Sequence, residues 1–567
     1  MNDSRPTMPD SSFAIGLDYG TQSVRALVVE VQTGTEVGTG VFSYPSGDGG
    51  VYVDPEDPNL ARQEPQDYLN GLESSVQKAL HDAQDRDAFR PEAVVGIGID
   101  TTGSTPLPVD EEGIPLAFDE RFRDHLAAKA WLWKDHTGHA EAEEITETAQ
   151  DLRPEYLAKC GGTYSSEWYW SKILHCRRTA PEVFEAAHTW VEHVDWMPAV
   201  LTGTDHPDEL KRGICAAGHK AMYNKAWGGY PDEEFLAELD DGLVEVRRTL
   251  PDEAYNASES AGTLTDEWAD RLGLPADIPV AVGAFDAHLG AVGAGIEPGT
   301  LVKIIGTSTC DLMLAPLDRD LPDIPGLCGI VPESVLPGHY GLEAGQSAVG
   351  DIFNWFVDVV KPDGMDHDRL TERASELEPG ETGLLALDWH NGNRTVLVDQ
   401  RLTGGVLGET LHTTPAELYR AYVEATAFGA RVIMERFEEY GVDVDRIINC
   451  GGISVKNEMV MQIYADVLGR PQRISRSSQT PALGSAIAGS VVAGPENGGH
   501  ATFDGGIAAM TGTKDTVFEP IPEHQDVYDR LYRLYRRVHD AFGVEGTEDD
   551  LYDVMKTLFD IREEIHG

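Results

Sequence analysis

A short apolar run at 13–18 (FAIGLD) ends on an acidic residue. The polar turn Tyr19-Gly20-Thr21-Gln22-Ser23 follows, and a second β-rich run fills 24–31 (VRALVVEV). Two apolar runs around a Gly/Thr/Ser tip predict a β-hairpin. The plan returns far downstream, with a strand at 301–305, the turn Gly306-Thr307-Ser308-Thr309 and a strand resuming over 311–314. A second correspondence follows. The run 94–100 (VVGIGID) reads as a buried strand entering Thr101-Thr102-Gly103-Ser104. The run 447–450 reads as another, entering Gly451-Gly452-Ile453-Ser454, with a helical pattern over 457–468. The expected architecture is α/β, with two duplicated lobes meeting near 294–300. We place the first lobe at 13–295, the second at 296–500, and a loop and helices packing on them at 501–567.

One helix is strongly signalled. Thr414-Pro415-Ala416-Glu417 is a capping box with proline at the first helical position, and Leu418, Tyr422, Ala425, Gly429 and Val432 continue at helical spacing up to Gly441. Gly429 costs about 1 kcal/mol against alanine in mid-helix, which points to close packing there. Residues 519–567 read as helices, with Tyr528, Leu531, Tyr532 and Tyr535 on one face, and 497–515 reads as a glycine-rich loop.

Composition changes the picture in one respect. The chain has 567 residues and 41% apolar content, ample for real cores, but 97 Asp+Glu against 44 Lys+Arg give a formal net charge of −53. The acids recur everywhere, as in Asp232-Glu233-Glu234, so no acidic tail accounts for them. Such a chain repels itself in dilute buffer, and at about 1 M salt a Debye length of about 3 Å screens that repulsion. Work in a salt-rich cytoplasm is the expectation. Nucleic acid is disfavoured as a partner, because phosphate backbones bind Lys and Arg. Six scattered cysteines without a CxxC spacing read as reduced thiols. Residues 1–12 lack the apolar run of a signal peptide, and no run of about 18 apolar residues suits a membrane. A cytoplasmic protein without a membrane partner is expected.

No GxxxxGK[ST], strand-borne GxGxxG or HExxH occurs. His136 and His139 could share a helix face, without a third metal ligand in view. What remains is a set of turns at strand ends. Tight turns expose backbone N–H groups and hydroxyls that hold phosphate without a lysine, and an acid at the edge, Asp18, can hold Mg²⁺ through water. One such turn is an ordinary hairpin tip. Two, at Gly20-Thr21 and Gly306-Thr307-Ser308, facing each other from duplicated lobes, can clamp a nucleoside triphosphate. Asp286, in Gly283-Ala284-Phe285-Asp286-Ala287-His288, stands at a strand end where a helix begins. It is either an N-cap or a general base for a substrate hydroxyl.

The blocks GLDYGTQSVR at 16–25, GIDTTGSTP at 98–106, WLWKDHT at 131–137, YSSEWYWSKILH at 164–175, GAFDAHLGAVGAG at 283–295, KIIGTSTCD at 303–311, GLEAGQSAVGD at 341–351 and GGISVKN at 451–457 resemble the FGGY carbohydrate kinases. WKDHT, SSEW, AGHK and GLEAGQSA narrow the resemblance to the ribulokinase branch. It spans about 13–540 and implies the two-lobed, actin-like ATPase (ribonuclease H-like) fold, with five-stranded sheets, sugar mainly on the first lobe and ATP on the second. It implies phosphorylation of ribulose at its terminal O5, taken as the L form with the D form as a second acceptor, serving arabinose, ribitol or ribulose use. By position, Asp286 matches the catalytic base, Asp18 the Mg²⁺ and phosphate residue, Gly20, Thr21, Gly306, Thr307 and Ser308 the phosphate turns, and Gly451, Gly452 and Asn457 the adenosine side. Lys220, Glu343, Asp286 and a backbone contact at Gly103 match the sugar side, with Gln346 as a further candidate there.

Each assignment has a plainer reading. Lys220 could lie along the surface, Glu343 could cap a helix beginning near Gln346, and Lys134 with Asp135 could be a local ion pair. Lys172-Ile173-Leu174-His175 lacks the tryptophan of the broader family signature, the second signature near 404–430 matches loosely, and the stretch after Gly543 has no counterpart in these blocks. The alternatives are a kinase for xylulose or ribitol, or a non-catalytic sugar- or nucleotide-sensing member of the fold. Family members often form dimers, so a homodimer is the assembly to look for.

Overall fold

The computed structural model describes residues 11–84, 86, 89–360, 364–548 and 550–566, and the segment 1–10 read above lies outside them. Phe13–Tyr19 (β1) is buried along nearly its whole length, as an apolar run is when both faces of its strand are covered. It pairs antiparallel with Ser23–Glu30 (β2), and β2 pairs with Glu36–Ser43 (β3). On its other side β1 runs parallel to Val94–Thr101 (β4), with Asp18 opposite Asp100. Ser260–Thr263 (β5), Pro279–Ala281 (β6) and Ala284–Phe285 (β7) complete a seven-stranded sheet, ordered β5-β6-β4-β1-β2-β3 with β7 also on β4.

The second sheet repeats the order. It consists of Thr300–Ile305 (β8), Thr309–Pro316 (β9), Gly329–Pro332 (β10), His339–Ala344 (β11), Arg446–Cys450 (β12), Gln472–Ser475 (β13) and Thr513–Phe518 (β14), arranged β10-β11-β9-β8-β12-β13-β14. Five strands correspond, β3-β2-β1-β4-β6 with β11-β9-β8-β12-β13, in the same parallel and antiparallel relations. This is the duplication expected of an actin-like ATPase, with each five-stranded sheet widened to seven.

Pro65–Ala83 (α1) covers β2 and β3. Asp286–Ala294 (α2) leaves β7 at once and runs between the lobes. Pro415–Glu439 (α3) carries the predicted capping box, and Gly441 follows it at φ 80°. Gly429 is where the buried Asp388 and Gln346 side chains meet the helix, so the close packing there is polar. Thr480–Ala493 (α4), although late in the chain, packs on β1 and β4 of the first sheet and against α2. That approach is close enough to touch backbone. A Cβ on Gly16, Gly98 or Gly484 would overlap the carbonyl oxygens of Ala482, Ser485 and Leu289 in turn. Pro522–Gly543 (α5) buries Tyr528, Leu531, Tyr532 and Tyr535 in the second-lobe core, as their spacing predicts.

The stretch read as a loop at 497–515 holds a helix, Phe503–Met510. The Thr502 hydroxyl accepts the Gly505 amide, and Phe503 and Met510 are buried anchors. Gly506 serves as a close-approach position, since a Cβ there would come within 2.8 Å of Ile487.

Gly98→Ala is expected to destabilise the protein by about 1–3 kcal/mol or more, the cost of overpacking a site with backbone on the far side. Gly405→Ala, which meets open space, is expected to change stability by less than about 0.5 kcal/mol. Denaturant unfolding of the two variants checks this, and equal stabilities would contradict the packing argument.

Candidate active site

Strand-end turns from both lobes line one cavity of ≈ 280 Å³. Thr21 reaches it from the β1–β2 turn, Gly306, Thr307 and Ser308 from the β8–β9 turn, and Thr102 and Gly103 from the end of β4. Each turn is closed by its own backbone, the Gly20 amide donating to the Ser23 carbonyl (2.9 Å) and the Gly306 amide to the Ser308 carbonyl (2.9 Å). The Trp133 indole donates to the Thr21 hydroxyl (2.9 Å), and Val349 and Asp351 amides donate to the Thr307 carbonyl (2.8 and 3.1 Å). The second hairpin is stiffened by a fully buried Lys303–Asp311 pair across its strands (2.5 Å).

Asp286 opens α2 on the cavity wall. Phe285 is the N-cap, so the capping reading of Asp286 gives way to a place in the first helical turn. Its Oδ1 accepts the Ala287 amide (2.6 Å), and the other oxygen has no partner among the described residues. Burial first, then the Asp18 charge, raise this carboxyl to about 7, against the Ala287 bond and Lys220. Asp18 and Asp100 stand opposite each other at the ends of β1 and β4. Burial raises Asp18, partly offset by Arg25 at 4.0 Å. Burial and the Asp18 charge hold Asp100 well above the usual carboxylate range, although the Ser485 hydroxyl donates to it at 2.5 Å. Asp100 Oδ1 is buried without a partner among the described residues. Three carboxylates thus converge with little positive charge to balance them. Sequence reasoning used Asp100 only as a strand end, and the parallel register that sets it beside Asp18 is the signal that would have found it.

Further along the cavity, Lys220 is buried at the end of the helix Ile214–Lys220. Its ammonium lies 3.2 Å from Glu343 on β11 and 5.3 Å from the Trp168 ring. Neither plainer reading holds. Lys220 is 6% exposed, and Glu343 sits within a strand while the next helix begins at Gly350. Burial alone would raise the Glu343 carboxyl, but Lys220, His219, His288 and Arg394 hold it well below its ordinary value. His219 and His288 face each other (Nε2 to Nε2, 3.0 Å), and burial lowers both, His288 to about 4. With Glu343 they are grouped tightly enough for a cation, yet the Lys220 ammonium already supplies the positive charge Glu343 needs. Gly103 packs so closely under Phe285 that any Cβ would overlap the ring.

The residues read for the adenosine side lie apart from this cavity. Gly451, at φ 92°, abuts the Ile305 carbonyl just before the β8–β9 turn, and Gly452 borders open space. The Asn457 side chain caps the helix Glu458–Leu468 by accepting the Val460 amide (3.1 Å), and it donates to Thr371 (3.2 Å). Gln346 turns away into a separate small cavity, where it donates to Asp388 (2.7 Å). Asp135 pairs with the buried Arg62, not with Lys134, and Arg62 stacks on Trp131 (3.4 Å). The helix after the WKDHT block starts at His139, so His136 and His139 share no helix face. Lys172 is buried and donates to the Ser104 and Leu132 carbonyls (both 2.8 Å), which fixes the Gly103 loop from beneath. Two residues passed over by sequence reasoning line the cavity, Trp133 and Arg394.

The chain matches the models of the FGGY family of carbohydrate kinases, the N-terminal domain over residues 13–293 and the C-terminal domain over 301–493. It is 43% identical to a ribulokinase of Shouchella clausii, over 98% of this chain and 99% of that one, a span that includes residues beyond Gly543. It is 39% identical to a ribulokinase of Mycolicibacterium smegmatis, over 98% of each. Among solved structures it resembles xylulose kinase from Rhodospirillum rubrum (TM-score 0.73, 23% identity, 93% of this chain and 98% of that one). It also resembles gluconate kinase from Lactobacillus acidophilus (TM-score 0.76, 17% identity, 94% and 99%). At these identities the structural likeness speaks for the fold alone.

Proposed function

The chain belongs to the FGGY family of carbohydrate kinases, and from that premise we propose that it moves the γ-phosphoryl group of ATP onto the terminal O5 hydroxyl of ribulose. The observation that carries the chemistry is the Asp286 carboxylate, facing the same cavity as both turns with one oxygen held by Ala287 and the other unengaged. Ribulose as the sugar rests on the ribulokinases that align over nearly the whole length. We take the L form as the main acceptor, with D-ribulose also accepted and arabinose breakdown as one use.

In this reading the sugar lies against Gly103, Lys220 and Glu343 with O5 toward Asp286. Asp286 accepts the O5 proton as that oxygen attacks the γ-phosphorus, and the bond from the γ-phosphorus to the β–γ bridging oxygen breaks to release ADP. A carboxyl raised to about 7 is a stronger base than an ordinary carboxylate. Thr21, Thr307 and Ser308, with the backbone around Gly20 and Gly306, face the phosphates and meet the charge that spreads over the γ-oxygens. Gly451, Gly452 and Asn457 border the adenosine. The unbalanced carboxylates of Asp18, Asp100 and Asp286 fit a divalent cation, with Asp18 the residue to hold Mg²⁺ through water. When bound, Mg²⁺ draws negative charge off the phosphates. Closing the lobes around both substrates would keep water from competing with O5. The charge of −53 supports work at high salt, and no helix among the described residues is long and apolar enough to cross a membrane.

In molar KCl with a panel of pentuloses and pentitols, ATP consumption should be fastest with ribulose. Turnover of another sugar in its place would refute the substrate, and turnover of none would refute the kinase reading for this chain. Asp286→Asn should lower kcat by about 10²–10⁴-fold, and near-normal activity would remove its role as base. Because the base works only when deprotonated, kcat/KM should fall about tenfold per pH unit on the acid side of a limb above the ordinary carboxylate range, toward 7. A profile flat down to pH 5 would contradict it. Stability should rise as KCl approaches about 1 M and self-repulsion is screened, and a protein equally stable and active in dilute buffer would exclude the salt adaptation.

A further inference from the structure

Arg394 is a cation whose place in the cavity no other feature explains. It projects from a second-lobe loop into the wall shared with Lys220, Asp286 and Glu343. Among the described residues its guanidinium has no hydrogen-bond or ion-pair partner. Elsewhere the large excess of acids pairs with arginines, as at the buried Arg62 and Arg420. The loop does not leave it there by looseness. On one side the Asn393 and Asp399 backbones bond each other (2.9 Å in both directions). On the other the Thr395 hydroxyl accepts the Gly345 amide (2.8 Å), and the Val396 amide donates to Gly326 (3.0 Å). Both neighbours of Arg394 are therefore pinned, and the side chain is held out toward the cavity.

Its electrostatic surroundings say which end of the cavity it serves. The carboxylates acting on it are Glu167 and Glu343, whereas Asp286 feels Asp18 at the phosphate end ahead of Glu343. Glu343 already has the Lys220 ammonium at 3.2 Å, so Arg394 is surplus to its neutralisation. A guanidinium is a donor-only fork suited to pairs of oxygen acceptors. Glu343 opposite it is acceptor-only. Together they offer a donor and an acceptor to adjacent oxygens of a polyhydroxylated ligand.

We propose that Arg394 is a sugar-binding residue that grips the oxygens of the ketose at the end away from the phosphorylated hydroxyl, its carbonyl-bearing end. It does so from the second lobe beside Glu343, while Gly103, Lys220 and Asp286 hold the sugar from the first. The bound sugar thereby becomes a bridge across the cleft, and its arrival favours the closed arrangement in which O5 meets the γ-phosphorus. The proposal rests on the reading of the cavity as a ketose kinase site.

The test compares wild type, Arg394→Ala and Arg394→Lys in steady-state kinetics, with ribulose varied at saturating MgATP and MgATP varied at saturating ribulose. Losing a charge-assisted bond of about 1.5–3 kcal/mol should raise the KM for ribulose in Arg394→Ala roughly 10–100-fold, with the KM for ATP within about twofold. Arg394→Lys should fall between, since a lysine cannot form the fork. Added guanidinium ion should partly restore Arg394→Ala and leave wild type unchanged. A rise confined to the KM for ATP would move Arg394 to the phosphates and overturn the proposal, as would kinetics within twofold of wild type for both substrates. Should Arg394→Ala fail to fold by thermal unfolding, the sugar-against-ATP split in Arg394→Lys decides. If wild type phosphorylates no sugar, it is the kinase reading that fails, whatever the variants do.

Discussion

The rest of the structure depends on one close contact, the backbone-to-backbone packing of α4 against β1 and β4 and against α2. Helices usually lie some 8–10 Å from their neighbours, with side chains between. Here Gly16 and Gly98 on the strands and Gly484 on α4 remove the side chains, and carbonyl oxygens occupy the space a Cβ would need. The consequence is positional. A helix from late in the chain becomes part of the first lobe's cover, which brings the Ser485 hydroxyl onto Asp100. The same crossing fixes α2, whose first residue is Asp286. The duplicated sheets are thereby fastened along one line, and the strand-end turns of both open onto one cavity.

Charge placement follows from that geometry. Three carboxylates gather at the ends of β1, β4 and the start of α2, where burial disfavours their ionisation. At the other end of the cavity the field reverses, since the charges of Lys220 and Arg394 act on Glu343. In the proposed reading, one end of the cavity accepts a proton and sits beside a cation with its phosphates, and the other offers directed donors and an acceptor to a neutral, oxygen-rich molecule. Lys172, buried beneath the Gly103 loop, stiffens that part of the cavity wall through the Ser104 carbonyl.

Much of this was legible in the sequence because it is written locally. Strand–turn–strand units, the Thr414 capping box and the tyrosines of α5 depend on residues a few positions apart, and all appear where the patterns put them. The duplication of the lobes was legible from the repeated strand–turn–strand units, whereas the order of strands within each sheet comes from the fold. The misses are of another kind. Phe503–Met510 reads as a loop because Gly505 and Gly506, the latter in close approach to Ile487, imitate turn glycines. Lys220 could have lain along the surface and Glu343 could have capped a helix until the fold set them 3.2 Å apart across 123 positions of chain. Asp100 gains meaning only from its register opposite Asp18, and Arg394 only from a loop pinned at both of its neighbours.

The central claim is that the cavity aligns the terminal hydroxyl of a ketopentose with Asp286 and the phosphate turns. The most direct test is the identity of the product. Ribulose labelled with ¹³C, incubated with the protein and MgATP in molar KCl, should give one sugar phosphate whose ³¹P signal couples to C5 and C4. A phosphate coupled to C1, or ADP released without any sugar phosphate, would contradict the account.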